Sequence, residues 1–233
     1  MRMGDRIGFY TRSFFNVFYP NYCNLCDASL NSQENHVCLN CLYDLPYLNG
    51  NNLNMDKLNR LFWGRVQVEH VYSLLDYQKG NQSQQVLHQL KYKKKRKLGY
   101  FFGRILANEL MQNERFDKIV PVPLHPKKLK ERGFNQSSVI AKGISDGLNV
   151  PVDENIMDRI VYNPSQTKFS KYDRWNNVRK IFELKTPKST LEGVHILLVD
   201  DVMTTGATLE ACVQEFNRIE NCTVSIATLA ARI

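Results

Sequence analysis

The chain contains no apolar run approaching the roughly 18 residues that a membrane-spanning helix requires. It also lacks Gly-x4-Gly-Lys-Ser/Thr and Gly-x-Gly-x-x-Gly, which removes a P-loop and a dinucleotide-binding turn from consideration. No small-residue cleavage site follows the aromatic residues Phe14, Phe15, Phe18 and Tyr19, and Arg2, Arg6 and Arg12 interrupt the stretch before them. The expectation is therefore a cytoplasmic protein without a signal peptide or transmembrane segment, in which those aromatics leave peripheral contact at the inner membrane face open. Internal repeats and low-complexity tracts are absent too. Acids are in short supply: 23 Asp and Glu face 31 Lys and Arg, a formal charge of +8. Such a balance favours anionic partners, whether phosphorylated metabolites, nucleic acid or an acidic membrane surface.

Against this background two Cys-x2-Cys pairs stand out. Cys23 and Cys26 are separated by eleven residues from Cys38 and Cys41, in an Asn-rich segment with few apolar residues. A segment so poor in core needs a staple. Four thiolates around Zn2+ would supply one, and two disulfides are the rival, disfavoured in a reducing compartment. Four cysteines already fill a tetrahedral site, so His36 between the pairs reads as a surface histidine. With no position left for water, the role of the site is structural or for docking.

Residues 49–60 are polar and turn-rich, and they read as a boundary between modules. Beyond them Val66, Val68, His70, Tyr72 and Leu74 alternate as in a strand. Val86, Leu87 and Leu90, then Phe101, Phe102, Ile105, Leu106 and Leu110, recur at helical spacing. Between these two runs lie Lys91, Lys93, Lys94, Lys95, Arg96 and Lys97, six cations in seven residues. The cluster reads either as a solvated helix end or, beside Tyr92, Tyr100 and Phe101, as a surface for single-stranded nucleic acid.

A short strand then runs into Pro121, Val122 and Pro123, where a residue without an N–H ends the ladder. The loop after it carries His125, Lys127, Lys128, Lys130 and Arg132 ahead of a helix with Val139, Ile140 and Ile144 on one face. It reads as an anion site suited to pyrophosphate, or as surface charge with a helix cap. Residues 156–161 read as another strand. The polar stretch of residues 168–180 is long enough to be a lid. Cys212 and Cys222 read as small buried residues.

The most informative stretch is residues 195–209. Ile196, Leu197, Leu198 and Val199 lead into Asp200 and Asp201, followed by Val202, Met203, Thr204, Thr205, Gly206, Ala207 and Thr208 before a helical pattern begins at Leu209. This is strand, loop, helix. Backbone N–H groups and threonine hydroxyls converging at a helix N-terminus make a phosphate site. Two carboxylates beside a phosphate would repel it unless they hold something else on the same ligand, and a vicinal diol offers matching donors. The stretch therefore asks for a ribose 5-phosphate. A receiver-domain reading of the acidic pair fails, because only 32 residues follow Asp201 in the 233-residue chain. A final strand spans residues 223–229. Strands alternating with helices imply parallel pairing, with the loops after Val120 and Val199 facing one crevice.

Residues 199–208 resemble the phosphoribosyl pyrophosphate (PRPP) motif of type I phosphoribosyltransferases. Together with the four-cysteine knuckle, Pro-Val-Pro, the run Arg132, Gly133, Phe134, Asn135, Gln136, and Gln166 with Arg174, Asn177, Val178 and Phe182, they make nearly the whole chain similar to the ComF family of competence-associated proteins. The C-terminal half is also similar to the transferase domain of amidophosphoribosyltransferase. The glutaminase half of that enzyme has no counterpart, so ammonia transfer is not implied.

The resemblance implies an α/β protein of type I phosphoribosyltransferase fold, a mostly parallel sheet flanked by helices. It places a zinc knuckle and linker at residues 1–60 and the transferase domain at 61–233. By the same resemblance Asp200 and Asp201 form the catalytic pair on the ribose hydroxyls, and Val202 through Thr208 cradle the 5-phosphate. Pro121, Val122 and Pro123 bind pyrophosphate, while Gln166, Arg174 and Asn177 belong to a lid. Mg2+ arrives bridging ligand oxygens, without a dedicated protein cage. The activity implied is Mg2+-dependent transfer of phosphoribose to an acceptor the resemblance leaves unnamed, with release of pyrophosphate, linked to DNA uptake. The alternative is a non-catalytic factor binding single-stranded DNA or competence machinery, with PRPP as a ligand.

Overall fold

A computed structural model describes residues 21–48, 52–110, 114–161 and 181–233. The expected lid residues Gln166, Arg174 and Asn177, and the aromatic residues before position 21, lie outside these. Four strands form one parallel sheet: β1 (Val71–Asp76), β2 (Lys118–Pro121), β5 (His195–Met203) and β6 (Thr223–Ala231), in the order β1-β6-β5-β2. The two central strands are buried on both faces, as the unbroken apolar run in β5 requires. Side chains alternate across the sheet. Leu197 and Val199 enter one apolar core, while Ile196 and Leu198 enter the other.

Helices cover both faces. On the first lie α3 (Gln82–Tyr92), α4 (Arg96–Leu110) and α6 (Gln136–Leu148). The pairing of α4 with α6 is backbone to backbone, since a Cβ on Gly103 would sit 2.2 Å from Ile140 O and one on Gly143 2.2 Å from Tyr100 O. Only glycine permits this approach. The second face carries α2 (Asn52–Arg60) and α7 (Ala207–Phe216), with the antiparallel hairpin of β3 (Met157–Arg159) and β4 (Phe182–Leu184). Short helices α1 (Leu39–Tyr43) and α5 (Pro126–Arg132) follow the knuckle and β2 respectively. Among the described residues no helix is long and apolar enough to cross a membrane.

Two elements differ from expectation. Residues 49–60, read as a boundary, are helical from Asn52 to Arg60, with Leu58 2% exposed and the Asn59 side chain accepting from Val71 N. The helix escapes a periodicity search because six of its nine residues, Asn52, Asn54, Asp56, Lys57, Asn59 and Arg60, are polar or charged. The alternating strand expected from Val66 begins only at Val71, and its edge is covered where Leu48 N donates to Leu74 O and Asp76 N to Pro46 O. Covering the edge in this way removes a site for unwanted pairing. The knuckle shares the first core: Cys23, Val37, Cys38, Cys41 and Leu45 cluster with Leu98 and Phe102.

Candidate functional site: the carboxyl ends of β2 and β5

Because β2 and β5 are adjacent and parallel, their carboxyl ends open side by side. After β2, Val122 N still donates to Val199 O at 2.8 Å, so the 121–123 loop leaves the sheet next to the acidic pair. Asn135 fixes it from the other side. Its side chain caps α6 by accepting from Ser137 N, and its amide donates to Val122 O at 2.9 Å. Arg132, Gly133, Phe134 and Gln136 complete this brace. Gly133 ends α5 with φ +80°, Arg132 Nη1 donates to the buried Gln136 Oε1, and Arg96 lies over the buried Phe134 ring.

The two carboxylates are held differently. Asp200 Oδ1 accepts from the Ser137 hydroxyl at 2.9 Å and from Asp201 N at 2.8 Å. Burial raises the Asp200 pKa to about 7, and the Asp201 charge adds to it, while Asp201 N–H, the Ser137 hydroxyl and Lys91 pull it down. Asp201 is 7% exposed and pairs through Oδ1 with Lys91 Nζ at 3.0 Å. Sequence grouped Lys91 with Lys93, Lys94, Lys95, Arg96 and Lys97. The structure separates it from them: those five are exposed around the turn between α3 and α4, whereas Lys91 reaches the acidic pair.

The loop of Val202, Met203, Thr204, Thr205, Gly206, Ala207 and Thr208, with Asp200 and Leu209, surrounds a cavity of about 40 Å3. Gly206 stands at the N-cap of α7 with φ +74° and supplies no side-chain cap. Ala207 N donates to Thr205 Oγ1 at 3.4 Å and Glu210 N to Gly206 O at 2.8 Å, so the N–H groups of Thr208 and Leu209 are the ones that face an anion at the positive end of the helix dipole. Phe62 and Arg65, which sequence reasoning missed, support the loop from behind. A Cβ on Gly206 would lie 3.1 Å from the Phe62 ring. Arg65 Nη1 donates to Thr205 O at 3.3 Å, and the same guanidinium pairs with Glu210, neutralising the acid in the first turn of α7. No local pattern signals these contacts.

Cations gather on the β2 side. The pKa of Lys128 is lowered by its burial first, then by the charges of Arg159, Arg132 and Lys91. Arg159, on β3, lies over Phe182, and its Nε is buried without a hydrogen-bond partner among the described residues. An orphan guanidinium N–H beside other cations suits an anionic ligand.

At the knuckle, the Sγ atoms of Cys23, Cys26, Cys38 and Cys41 all lie within 4.8 Å of one another, and all four are free thiols. Cys26 Sγ and Cys38 Sγ are 3.7 Å apart. A tetrahedral Zn2+ with bonds of about 2.3 Å places its sulfurs roughly 3.8 Å apart, so the cluster can hold such an ion. Burial raises the Cys23 pKa, yet N–H groups of Cys38, Cys26 and Leu25 outweigh it and hold this thiol at about 7. His36 is not part of the cluster; its ring meets Phe101 edge-on at 5.9 Å.

The family described as phosphoribosyl transferase domain matches residues 135–233. DNA utilization protein YhgH of Salmonella typhi is 30% identical over 147 residues, 60% of this chain and 63% of that protein. Competence protein F of Haemophilus influenzae is 27% identical over 194 residues, covering 81% of this chain and 75% of its own. Competence protein ComFC of Bacillus subtilis is 35% identical over 91 residues, 39% of this chain and 34% of its own. The chain thus spans 63% of the length of the YhgH relative it matches.

Proposed function

We propose that this chain, similar to competence protein F and ComFC and matching the phosphoribosyl transferase domain over residues 135–233, binds PRPP with Mg2+ and transfers the phosphoribosyl group to an acceptor, releasing pyrophosphate, in a process linked to DNA uptake. One observation carries the reading: Asp200 and Asp201 stand in the last part of β5, ahead of the N-terminus of α7, whose Gly206 cap supplies no side-chain acceptor. That juxtaposition matches a vicinal diol and a 5-phosphate on one sugar.

In this mechanism the two carboxylates accept the ribose 2- and 3-hydroxyls, and the 204–208 loop holds the 5-phosphate. Pro121, Val122 and Pro123, with Lys128, Arg132 and Arg159, flank the pyrophosphate. The C1–oxygen bond breaks with its electron pair leaving on pyrophosphate, and an acceptor atom forms the new bond to C1 with its lone pair and gives up its proton to water. Positive charge held in advance where the leaving group gathers its negative charge lowers the barrier without a covalent nucleophile. When bound with PRPP, Mg2+ would supply further charge neutralisation to the leaving group and would need few protein ligands. The knuckle cysteines are assigned Zn2+ as a structural ion. A pyrophosphate-release screen over nucleobases, amines and nucleotides with PRPP and Mg2+ tests turnover. Calorimetry on Asp200→Asn with Asp201→Asn tests the pocket: loss of PRPP binding in a folded protein is expected, and unchanged affinity would sink the assignment.

A cleft of about 650 Å3 between the knuckle and the basic turn favours a second reading, single-stranded DNA binding. Tyr22, His36, Lys94, Lys95, Arg96 and Lys97 are among its lining residues. Arg96 and Lys97 also begin α4, where a helix dipole disfavours cations, so this arrangement costs stability unless an anion offsets it. Binding should fall steeply with salt. Charge reversal at Lys93, Lys94 and Lys95 should abolish it, and intact binding would remove this reading.

A further inference from the structure

Lys91 owes its position to the register of α3. Leu87 and Leu90 are buried in the first core, and the side chain after Leu90 is directed along the sheet end to Asp201, with 18% of its surface exposed. Among the described residues it is the cation that both pairs with the acidic pair and bears electrostatically on Lys128, alongside Arg159 and Arg132. It therefore sits at the acidic pair and within electrostatic reach of the cations on the β2 side.

A sugar diol brings Asp201 hydroxyl donors of its own, while a pyrophosphate brings concentrated negative charge to the neighbouring cations. Once both are present, the ammonium gains more from phosphate oxygens than from a carboxylate already satisfied by hydroxyls. Resting on the phosphoribosyl reading above, we propose that Lys91 is a ligand-responsive pyrophosphate-binding residue: it is the counter-ion of Asp201 without ligand and turns to the pyrophosphate oxygens nearest the anomeric carbon when PRPP binds. Its flexible four-carbon stem and three donors suit a group that exchanges partners. When pyrophosphate leaves, the ammonium returns to Asp201, so the acidic pair is never left without a cation.

The test compares two ligands on the full chain by calorimetry with Mg2+ present: PRPP, and ribose 5-phosphate, which shares the diol and phosphate but has no pyrophosphate. Lys91→Met should weaken PRPP by about tenfold or more, the worth of one charge-assisted hydrogen bond. Ribose 5-phosphate should stay within about twofold, and Lys91→Arg should recover most of the loss. Because the ratio is taken within one variant, partial unfolding affects both ligands alike. Equal weakening of both ligands would overturn the proposal, leaving Lys91 a group that only positions Asp201; no weakening of PRPP would overturn it as well. Wild-type protein that binds neither ligand would instead remove the phosphoribosyl reading, and this proposal with it.

Discussion

Ser137 donates its hydroxyl to Asp200 Oδ1 at 2.9 Å, which ties the first turn of α6 to the carboxyl end of β5. Two residues earlier, Asn135 holds Val122 O. The segment that opens α6 thus connects the 121–123 loop to the acidic pair, so neither half of the pocket is positioned independently of the other.

Removing that tie has a directional effect. In Ser137→Ala, Asp200 loses a donor that favours its ionised form, so its titration midpoint should move up from about 7. A hydrogen bond to a charged group worth ~1.5 kcal/mol corresponds to about one pH unit. PRPP affinity at neutral pH should fall accordingly and recover at higher pH. An affinity loss of equal size at every pH would show that Ser137 acts by shape alone.

The raised Asp200 pKa makes stability depend on pH with a definite sign. Between the ordinary carboxylate value of 3.8 and about 7, the folded protein keeps a proton that the unfolded chain has lost. The unfolded state therefore gains relative to the folded one as pH rises through this window. Asp200→Asn should leave thermal stability unchanged near pH 4 and raise it above pH 7, on the order of 5 °C. The same variant should flatten the rise of PRPP affinity through neutral pH. Since ligand phosphates also titrate near pH ~6, the difference between wild type and variant is the readout.

What the sequence made legible follows from how local each signal is. The strand, acidic pair and glycine turn of residues 195–209 are contiguous, so pattern alone gave the fold element and the expectation of a phosphoribosyl ligand. The parallel sheet followed from strands alternating with helices. Arg65 meets Thr205 across 140 positions, and Ser137 meets Asp200 across 63, and no short-range pattern encodes such pairings. Lys91 was visible only as one of six cations. Helical register, which buries Leu87 and Leu90, separates it from the rest.

Gly206 tests the phosphate loop. Its φ of +74° strains any side chain, and the Phe62 ring 3.1 Å from a would-be Cβ must give way by a few tenths of an ångström to admit one. Gly206→Ala should cost about 1–2 kcal/mol in urea unfolding from the backbone alone, and more if Phe62 must shift. Ribose 5-phosphate affinity should fall with it. A variant with wild-type stability would mean that the loop adopts another backbone conformation.

Metal removal tests how the knuckle is coupled to the rest of the chain. Cys23, Cys38 and Cys41 lie in the same apolar cluster as Leu98 and Phe102 of α4. His36 also meets Phe101, and its pKa is lowered by burial first and then by Lys97 and Lys95. Without an ion, four crowded thiols lose the bonds that hold them together. Loosening should then spread first to the start of α4, because that is the surface the knuckle covers. Chelation should therefore speed tryptic cleavage after residues 93–97 well before the sheet unfolds, and one equivalent of Zn2+ should reverse it. PRPP binding should persist in the chelated protein, since the acidic pair and the 204–208 loop are held by β5, α6 and α7. Simultaneous loss of knuckle and PRPP binding would instead show that the two modules unfold as one cooperative unit.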